Sequence, residues 1–352
     1  RRLDNLDMCR RLFGRAAGST LGDRLYGEEV RALLDLLDGH PRSLVLVAGQ
    51  IRDGGANLGS ILARIRERGD EAVLAAELLE SGTDWNEHDR LRAERLVSSL
   101  HLAYQPLLDH APGAAELFAW LGTLPAGLPV PLASAIFGED APERIAILSR
   151  FSLVEFRGAD ERLELPAPVR WYAEHRLDAD IPAERRAELL ARTLEAIAAL
   201  MAAAYDRMGK PGAGAVVDAS RREALNLVAL LGRVERSLPV APELARLVAR
   251  AFWRWSKVRV FGGHNTQQVT LIKRARNCVG MLEGSGEDYA SLIEALGDLY
   301  LRTARLADAE AAYQLALAAF TAIDERIGEA NTRKALGDLY LRTARLADAE
   351  AA

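Results

Sequence analysis

Apolar and polar residues recur at helical spacing along most of the chain. In GEEVRALLDLL (27–37) an apolar residue returns every three or four positions. The same spacing runs through four further segments: 90–108, 114–122, 182–209 and 215–237. Strand character is limited to SLVEF (152–156) and RLEL (162–165), which the turn-prone residues RGADE connect. The pattern therefore predicts a mainly α-helical protein with one short β-hairpin.

One stretch of sequence occurs twice. ALGDLYLRTARLADAEAA occupies 295–312 and again 335–352, at an offset of 40 residues. A fixed period in this range is typical of proteins built from stacked helical units. Because the chain begins at Arg1 and ends inside the second copy, we expect it to be a piece of a longer protein.

The repeat resembles the tetratricopeptide consensus in its spacing of small and large residues. The matching positions are Leu296, Gly297, Tyr300, Ala309, Tyr313 and Ala316, then Leu336, Gly337, Tyr340 and Ala349. Gly297 is expected where two helices approach closely. Ala304 departs from the consensus, which usually has glycine at the turn between helices. The segment 249–282 is interpreted as a degenerate unit, with Trp253 and Trp255 packed in its core; an aromatic binding platform is the alternative for these two residues.

The tetratricopeptide resemblance implies a binding surface for a protein or peptide. In such repeats the first helix of each pair faces a concave surface. That face would carry Glu294, Asp298, Leu301 and Arg302, then Asn331, Lys334, Asp338, Leu341 and Arg342. Two other interpretations stay open: the repeats are a spacer, or these side chains are only solvated.

Composition and charge narrow the class of protein. The 352 residues are 49% hydrophobic and 27% charged, which suits several globular domains. A net charge of −5 argues against a dominant nucleic-acid surface. Only two cysteines, Cys9 and Cys278, and no long uncharged apolar run are present. We therefore expect a cytoplasmic protein without membrane contact.

The first half of the chain resembles STAND signalling ATPases of the NB-ARC type. DLLDGHPRSLVLVAGQI (35–51) is similar to their GLPL segment, and the matching residues are Gly39, His40 and Pro41. The stretch 102–177 is similar to their winged-helix domain. The resemblance implies that Pro41 lies near the adenine of a bound nucleotide. For His40, a role in the turn is the alternative to contact with the nucleotide.

The order of these segments predicts five regions. They are a small helical domain (1–79), a winged-helix domain (80–178), a helical linker (179–240), a degenerate repeat (241–283) and tetratricopeptide repeats (284–352). The expected fold class is mainly α, with a winged helix that contains a short β-hairpin and an α-solenoid of helix pairs at the end.

Two departures from the STAND pattern limit what the resemblance implies. No GxxxxGK[ST] motif occurs, so the core that binds ATP or ADP is expected elsewhere in the parent protein. This chain alone is expected to bind no cofactor or metal and to hold no catalytic site. Pro166 and Ala167 stand where the family often has His and Asp, and proline cannot donate a hydrogen bond to an ADP phosphate. Whether ADP still locks the resting state stays open, as does hydrolysis by the parent.

The hypothesis from sequence is the regulatory and sensor portion of a nucleotide-controlled signalling switch. Ligand capture by the repeats would lead to oligomerisation of the parent or release of an effector, in defence or signalling. The alternatives are an ATP-dependent transcriptional activator whose DNA-binding domain lies outside this chain, and a passive repeat scaffold. Nucleic-acid contact through the winged helix is not expected, because its segment 142–152 offers Arg144 and Arg150 against Glu143.

Overall fold

The chain forms two compact units, residues 1–183 and residues 184–352. The predicted mainly α-helical class is confirmed. The computed structural model describes these residues: 5–37, 41–53, 57–66, 87–158, 161–236, 241–259, 265–279 and 286–352. Within these ranges no helix is both long enough and apolar enough to cross a lipid bilayer.

Short helices make up most of the first unit. They are α1 Leu6–Ala17, α2 Glu28–Leu36, α3 Pro41–Asp53, α4 Leu58–Arg66, α5 Glu87–His110, α6 Pro112–Leu121, α7 Val130–Phe137, α8 Ala141–Arg150 and α9 Ala167–Asp180. The side chain of Asn5 caps α1 by accepting a hydrogen bond from the backbone N–H of Asp7 at 2.7 Å. Pro41 is the first residue of α3, as its sequence position predicts, because proline suits the first turn of a helix.

The first core of this unit lies among α1 to α4. The helical spacing in 27–37 places four apolar side chains on one side, and all four are buried: Val30, Leu33, Leu34 and Leu37. They join Phe13 and Ala17 of α1 and Leu44 and Val47 of α3 in one hydrophobic cluster. A second group of buried rings contains Tyr104, Phe118 and Tyr172, with centroids 5.4 to 6.3 Å apart. Burial of these apolar side chains is the main favourable contribution to folding of the unit.

The first unit also holds a small antiparallel sheet in the order β1-β3-β2, with β1 Leu128–Pro129, β2 Glu155–Arg157 and β3 Arg162–Glu164. The predicted hairpin is confirmed, but its first strand begins at Glu155 and not at position 152. Ser152 has a φ of 56°, which is outside the strand region. Strand β1 was not predicted, because two residues are too few to show an alternating pattern.

A buried arginine holds β1 against β3. Arg162 is 1% exposed, and its guanidinium donates to the carbonyl oxygens of Ala126 at 2.9 Å and of Gly127 at 3.2 Å. Gly127 has a φ of +67°, and a Cβ at this position would overlap the carbonyl oxygen of Leu163. This turn therefore needs glycine for its backbone conformation and for space.

Two arginines of α3 contact the end of α8. Arg52 donates to the carbonyl oxygen of Arg150 at 2.7 Å. Arg42 donates to the carbonyl oxygen of Ser152 and to Glu155 Oε1, the latter at 3.0 Å. The last carbonyl oxygens of a helix lack intrahelical donors and favour nearby cations. These contacts join the first core to the part of the unit that contains the sheet.

The second unit is a succession of helices that pack in pairs. They are α10 Ala183–Arg207, α11 Ala213–Arg236, α12 Pro242–Arg259, α13 Asn265–Val279, α14 Glu287–Arg302, α15 Leu306–Ala322, α16 Arg326–Arg342 and α17 Leu346–Ala351. In chain order α12 packs on α13, α14 on α15 and α16 on α17, while α12 also contacts α14 and α15 contacts α16. The separation of the two predicted helical segments 182–209 and 215–237 is confirmed, although α11 begins slightly earlier, at Ala213.

The two identical copies adopt the same local structure. Ala304 and its counterpart in the second copy both have a φ of 57° at the turn between helices. After each turn an arginine lies over a tyrosine ring, Arg305 over Tyr300 at 4.6 Å and Arg345 over Tyr340 at 4.4 Å. The departure from glycine at Ala304 therefore does not change the turn, although the left-handed conformation costs an alanine about 1 kcal/mol.

The surroundings of the two copies differ. A Cβ at Gly297 would lie 2.6 Å from ring atoms of Tyr313 on α15, so this glycine permits the expected close approach of α14 and α15. At Gly337, by contrast, the nearest atom to a Cβ would be the carbonyl oxygen of Ala349, at 3.8 Å. The position that corresponds to Tyr313 in the second copy, 40 residues later, falls one residue past the 352 of the sequence, so no ring lies opposite Gly337 here.

We predict opposite effects for one substitution at these two positions. Gly297→Ala should lower the free energy of unfolding by about 1–3 kcal/mol, because the methyl group overlaps the Tyr313 ring. Gly337→Ala should raise it by about 0.5–1 kcal/mol, because alanine favours the helix and has space there. Urea unfolding followed by far-UV circular dichroism measures both changes. Equal changes in the two variants would contradict the packing difference.

Candidate functional site

The residues predicted to face a nucleotide lie only partly within the described structure. Gly39 and His40 are outside the described residues, and Pro41 is partly buried at the start of α3. Pro166 precedes α9 with extended backbone angles and provides no side-chain cap, and Ala167 is exposed. The predicted role of these residues beside a nucleotide stays a prediction.

A groove of about 700 Å³ lies in the second unit. Most of its lining comes from α10, α12, α14 and α16, and Phe320 of α15 also contributes. On α14 the lining residues Glu287, Ser291 and Glu294 follow the i, i+4, i+7 spacing of one helix face. On α16 the lining residues Ile327 and Asn331 are likewise four positions apart. The groove is therefore built mainly from α12, α14 and α16, which come first in their pairs, together with α10.

The structure brings two of the predicted ligand-binding residues together, since Glu294 and Asn331 both line the groove. Asp298 lies one turn further along α14 and contacts Lys257, which is itself a lining residue. The other predicted residues are outside the lining, partly buried on α14 or exposed on α16: Leu301, Arg302, Lys334, Asp338, Leu341 and Arg342. The binding role of the whole set stays a prediction.

A charged cluster connects α12 to α14 beside the groove. Lys257 Nζ is 2.9 Å from Asp298 Oδ2 and 3.7 Å from Glu294 Oε2. Tyr313 donates its hydroxyl to Asp298 Oδ1 at 2.8 Å. Burial by itself would lower the pKa of Lys257, but attraction to Asp298 and Glu294 outweighs it and raises that pKa. The lysine is therefore held in its charged form.

Burial has the opposite effect on the acid of this cluster. It raises the pKa of Glu294 above its ordinary value, although the Lys257 charge acts to lower it. At the end of α14, burial lowers the pKa of Arg302, against the attraction of Asp298. Arg302 Nε is buried and makes no hydrogen bond to any residue that the structure describes. The polar groups of α14 thus range from tightly paired, near the groove, to incompletely paired at its C-terminal end.

Sequence reasoning missed the groove residues of α10 and α12. Tyr205 and Asp206 lie in the segment interpreted as a linker, yet both line the groove. Trp253 was interpreted as a core residue, but it is partly buried, and with Lys257 it lines the groove from α12. Core packing is confirmed for Trp255, which is 2% exposed. The four-residue spacing of Trp253 and Lys257 indicates a shared helix face but not which helix that face meets.

In the segment 142–152, which was considered for DNA contact, one of the two arginines is paired with another residue of the first unit. Arg144 of α8 is 2.9 Å from Glu116 Oε2, and its guanidinium also donates to the carbonyl oxygen of Gly113 at 3.3 Å. Its charge is thus balanced within the first unit. The expectation that this segment contacts no nucleic acid is untested.

Within the residues that the structure describes, no group of three or more His, Cys, Asp or Glu side chains could hold a metal ion. Comparisons of the chain with protein-family models, with curated proteins and with solved structures found no match. The features that bear on function are therefore the geometry of the groove and its charged cluster.

We predict that the Lys257 cluster couples α12 and α14 energetically. Lys257→Met should lower the free energy of unfolding by about 1–3 kcal/mol, because Asp298 and Glu294 lose their counter-charge in a partly buried site. Adding Asp298→Asn should recover part of this loss, which gives a coupling energy of about 1–2 kcal/mol in a double-mutant cycle. Chemical denaturation of the single and double variants measures it.

The matched control is Lys334→Met on α16, where the lysine is exposed. This change should alter the free energy of unfolding by less than about 0.5 kcal/mol. Additive effects of the Lys257 and Asp298 substitutions would show that the two residues do not act as a pair.

Proposed function

We propose that the chain is the regulatory and sensor portion of a nucleotide-controlled STAND switch, and that its groove binds an extended segment of a protein or peptide. The observation that carries the proposal is the convergence of Glu294 and Asn331. Both were assigned to a ligand face from repeat spacing, and both line one groove with side chains of α10 and α12.

The lining of the groove suits a peptide. Peptide sites combine apolar contacts with a few polar groups that fix the orientation of the ligand. Here Tyr205 and Ile327 leave 52% and 73% of their surface exposed, and the partly buried Trp253 adds further apolar area. Asn331 supplies an amide that can bind a peptide backbone.

The packing of the second unit supports a tetratricopeptide-type solenoid as part of the proposal. Its helices pack in consecutive pairs, and the small residue Gly297 lies at the closest approach of one pair. In the first unit, the sheet and α6 to α8 occur in the order of a winged helix. These features agree with the domain order on which the STAND resemblance depends.

The contacts between α3 and α8 support a coupling role for the first unit. Arg52 connects the helix that follows the nucleotide-side motif to the end of α8, and Arg42 connects it to β2. A change in nucleotide state in the parent would alter how these parts pack on the missing core. A ligand must favour one packing arrangement over the other by a few kcal/mol to shift the population usefully.

The nucleotide part of the proposal predicts bound ADP or ATP in a longer protein that contains this chain. That protein would be purified from cells and denatured, and the released small molecules would be identified by chromatography with mass detection. A stoichiometric adenine nucleotide is expected, because the missing core would hold it. A protein that contains no nucleotide and takes up no added ATP would contradict the switch and favour a passive repeat scaffold.

The groove is tested by selection from a displayed library of random peptides on the 352-residue chain. Selected peptides are synthesised, and their affinity is measured by fluorescence anisotropy. We expect Trp253→Ala to weaken binding roughly 30-fold, as loss of a central aromatic contact does, and Asn331→Ala roughly fivefold through a lost hydrogen bond.

The matched control for the peptide experiment is Lys210→Ala. Lys210 is exposed between α10 and α11, outside the lining of the groove. This variant should therefore bind the selected peptides with the affinity of the unsubstituted chain. Failure to select any peptide, or binding that Trp253→Ala leaves unchanged, would refute the groove as the ligand site.

A further inference from the structure

We infer that the groove selects segments in which a lysine or arginine stands next to an apolar residue. This inference rests on the proposed peptide-binding function and adds the chemistry of the ligand. It comes from three features of the lining: the balance of its charges, the partners that those charges already have, and the position of its exposed apolar side chains.

The lining carries an excess of negative charge. Two cations, Arg254 and Lys257, stand against four carboxylates: Asp206, Glu287, Glu294 and Glu325. Asp298, just outside the lining, adds a further carboxylate to the Lys257 cluster. A groove with walls of low dielectric strengthens such a field and attracts ligands of the opposite charge.

Both cations of the groove are already engaged. Lys257 is paired with Asp298 and Glu294. Arg254 donates to the carbonyl oxygen of Ala198 at 3.4 Å, and its guanidinium lies 5.5 Å from the centre of the Trp253 ring. An acidic ligand would therefore have to compete with partners of the same chain. A basic ligand would not.

The carboxylates differ in how far they are engaged. Glu325 caps α16, since it accepts hydrogen bonds from the backbone N–H groups of Ile327 and Gly328. Asp206 on α10 is exposed and makes no hydrogen bond or ion pair to any residue in the described part of the chain. Glu287 on α14 is exposed as well, but its charge also acts on Arg250, whose pKa it helps to raise. Asp206 is thus the carboxylate most available to a cation of the ligand, and Glu287 is the second.

Exposed apolar groups lie beside the available acids. Tyr205 is next to Asp206 on α10. Ile327, at the start of α16, lines the same groove. Burial of such exposed apolar surface by a ligand removes it from water and so favours binding. A segment with a cation and an apolar side chain side by side satisfies both features, and one with only acidic residues satisfies neither.

The test uses two synthetic peptide libraries of equal length in fluorescence anisotropy with the 352-residue chain. One library combines Lys and Arg with apolar residues, and the other combines Asp and Glu with the same apolar residues. We expect tighter binding of the basic library. Raising NaCl from 50 to 500 mM should weaken it about tenfold, because salt screens exposed charges.

Variants separate the local charge from the net charge of the chain. Asp206→Asn should weaken binding of a selected basic peptide about fivefold, as loss of one charged hydrogen bond does. Glu350→Gln removes one negative charge on α17, outside the lining, and should leave the affinity unchanged. Asp206→Lys should bind a peptide in which the cation is replaced by Glu better than it binds the original peptide.

The outcomes distinguish this inference from the proposed function. Peptides that bind in the groove without a cation, or whose affinity does not change with salt, would overturn the inference and leave the peptide site standing. Failure of both libraries and of the random library would overturn the site itself. Equal effects of Asp206→Asn and Glu350→Gln would show that only the net charge matters.

Discussion

The close approach of α14 and α15 at Gly297 determines where the polar side chains of the second unit meet. Because Gly297 has no side chain, the ring of Tyr313 lies against the backbone of α14. From this position its hydroxyl reaches Asp298 at 2.8 Å, and Asp298 in turn holds Lys257 of α12 at 2.9 Å. A steric constraint between α14 and α15 thus positions a charged contact between α14 and α12, at the edge of the groove.

The charged cluster explains the electrostatic character of the groove. Two carboxylates share one lysine, and the partial burial of all three makes their pairing important, since an unpaired charge away from water is costly. The positive charge of Lys257 is neutralised by this pairing. Asp206 and Glu287, by contrast, are exposed to solvent. The same contacts that order the helices therefore leave the groove negative.

Sequence patterns predicted the parts of the site that depend on one helix, but not the parts that depend on neighbours. Glu294 and Asn331 could be assigned to a surface because the resemblance to tetratricopeptide repeats places each of them on the first helix of a pair. Tyr205, Asp206 and Trp253 could not, because nothing in their local pattern tells which helix their face meets. Strand β1 was missed for a related reason. Its two residues become a strand only through pairing with β3.

The two identical copies separate what sequence and tertiary structure each decide. The sequence by itself determined the local structure, since both copies end their first helix at an arginine, turn through an alanine with a φ of 57° and place the next arginine over a tyrosine. Only the tertiary structure decided that Gly297 packs against the ring of Tyr313 and that Asp298 meets Lys257 of α12. Hydrogen bonds and turn angles are set within a few residues, whereas the contacts of Gly297 and Asp298 depend on residues of other helices.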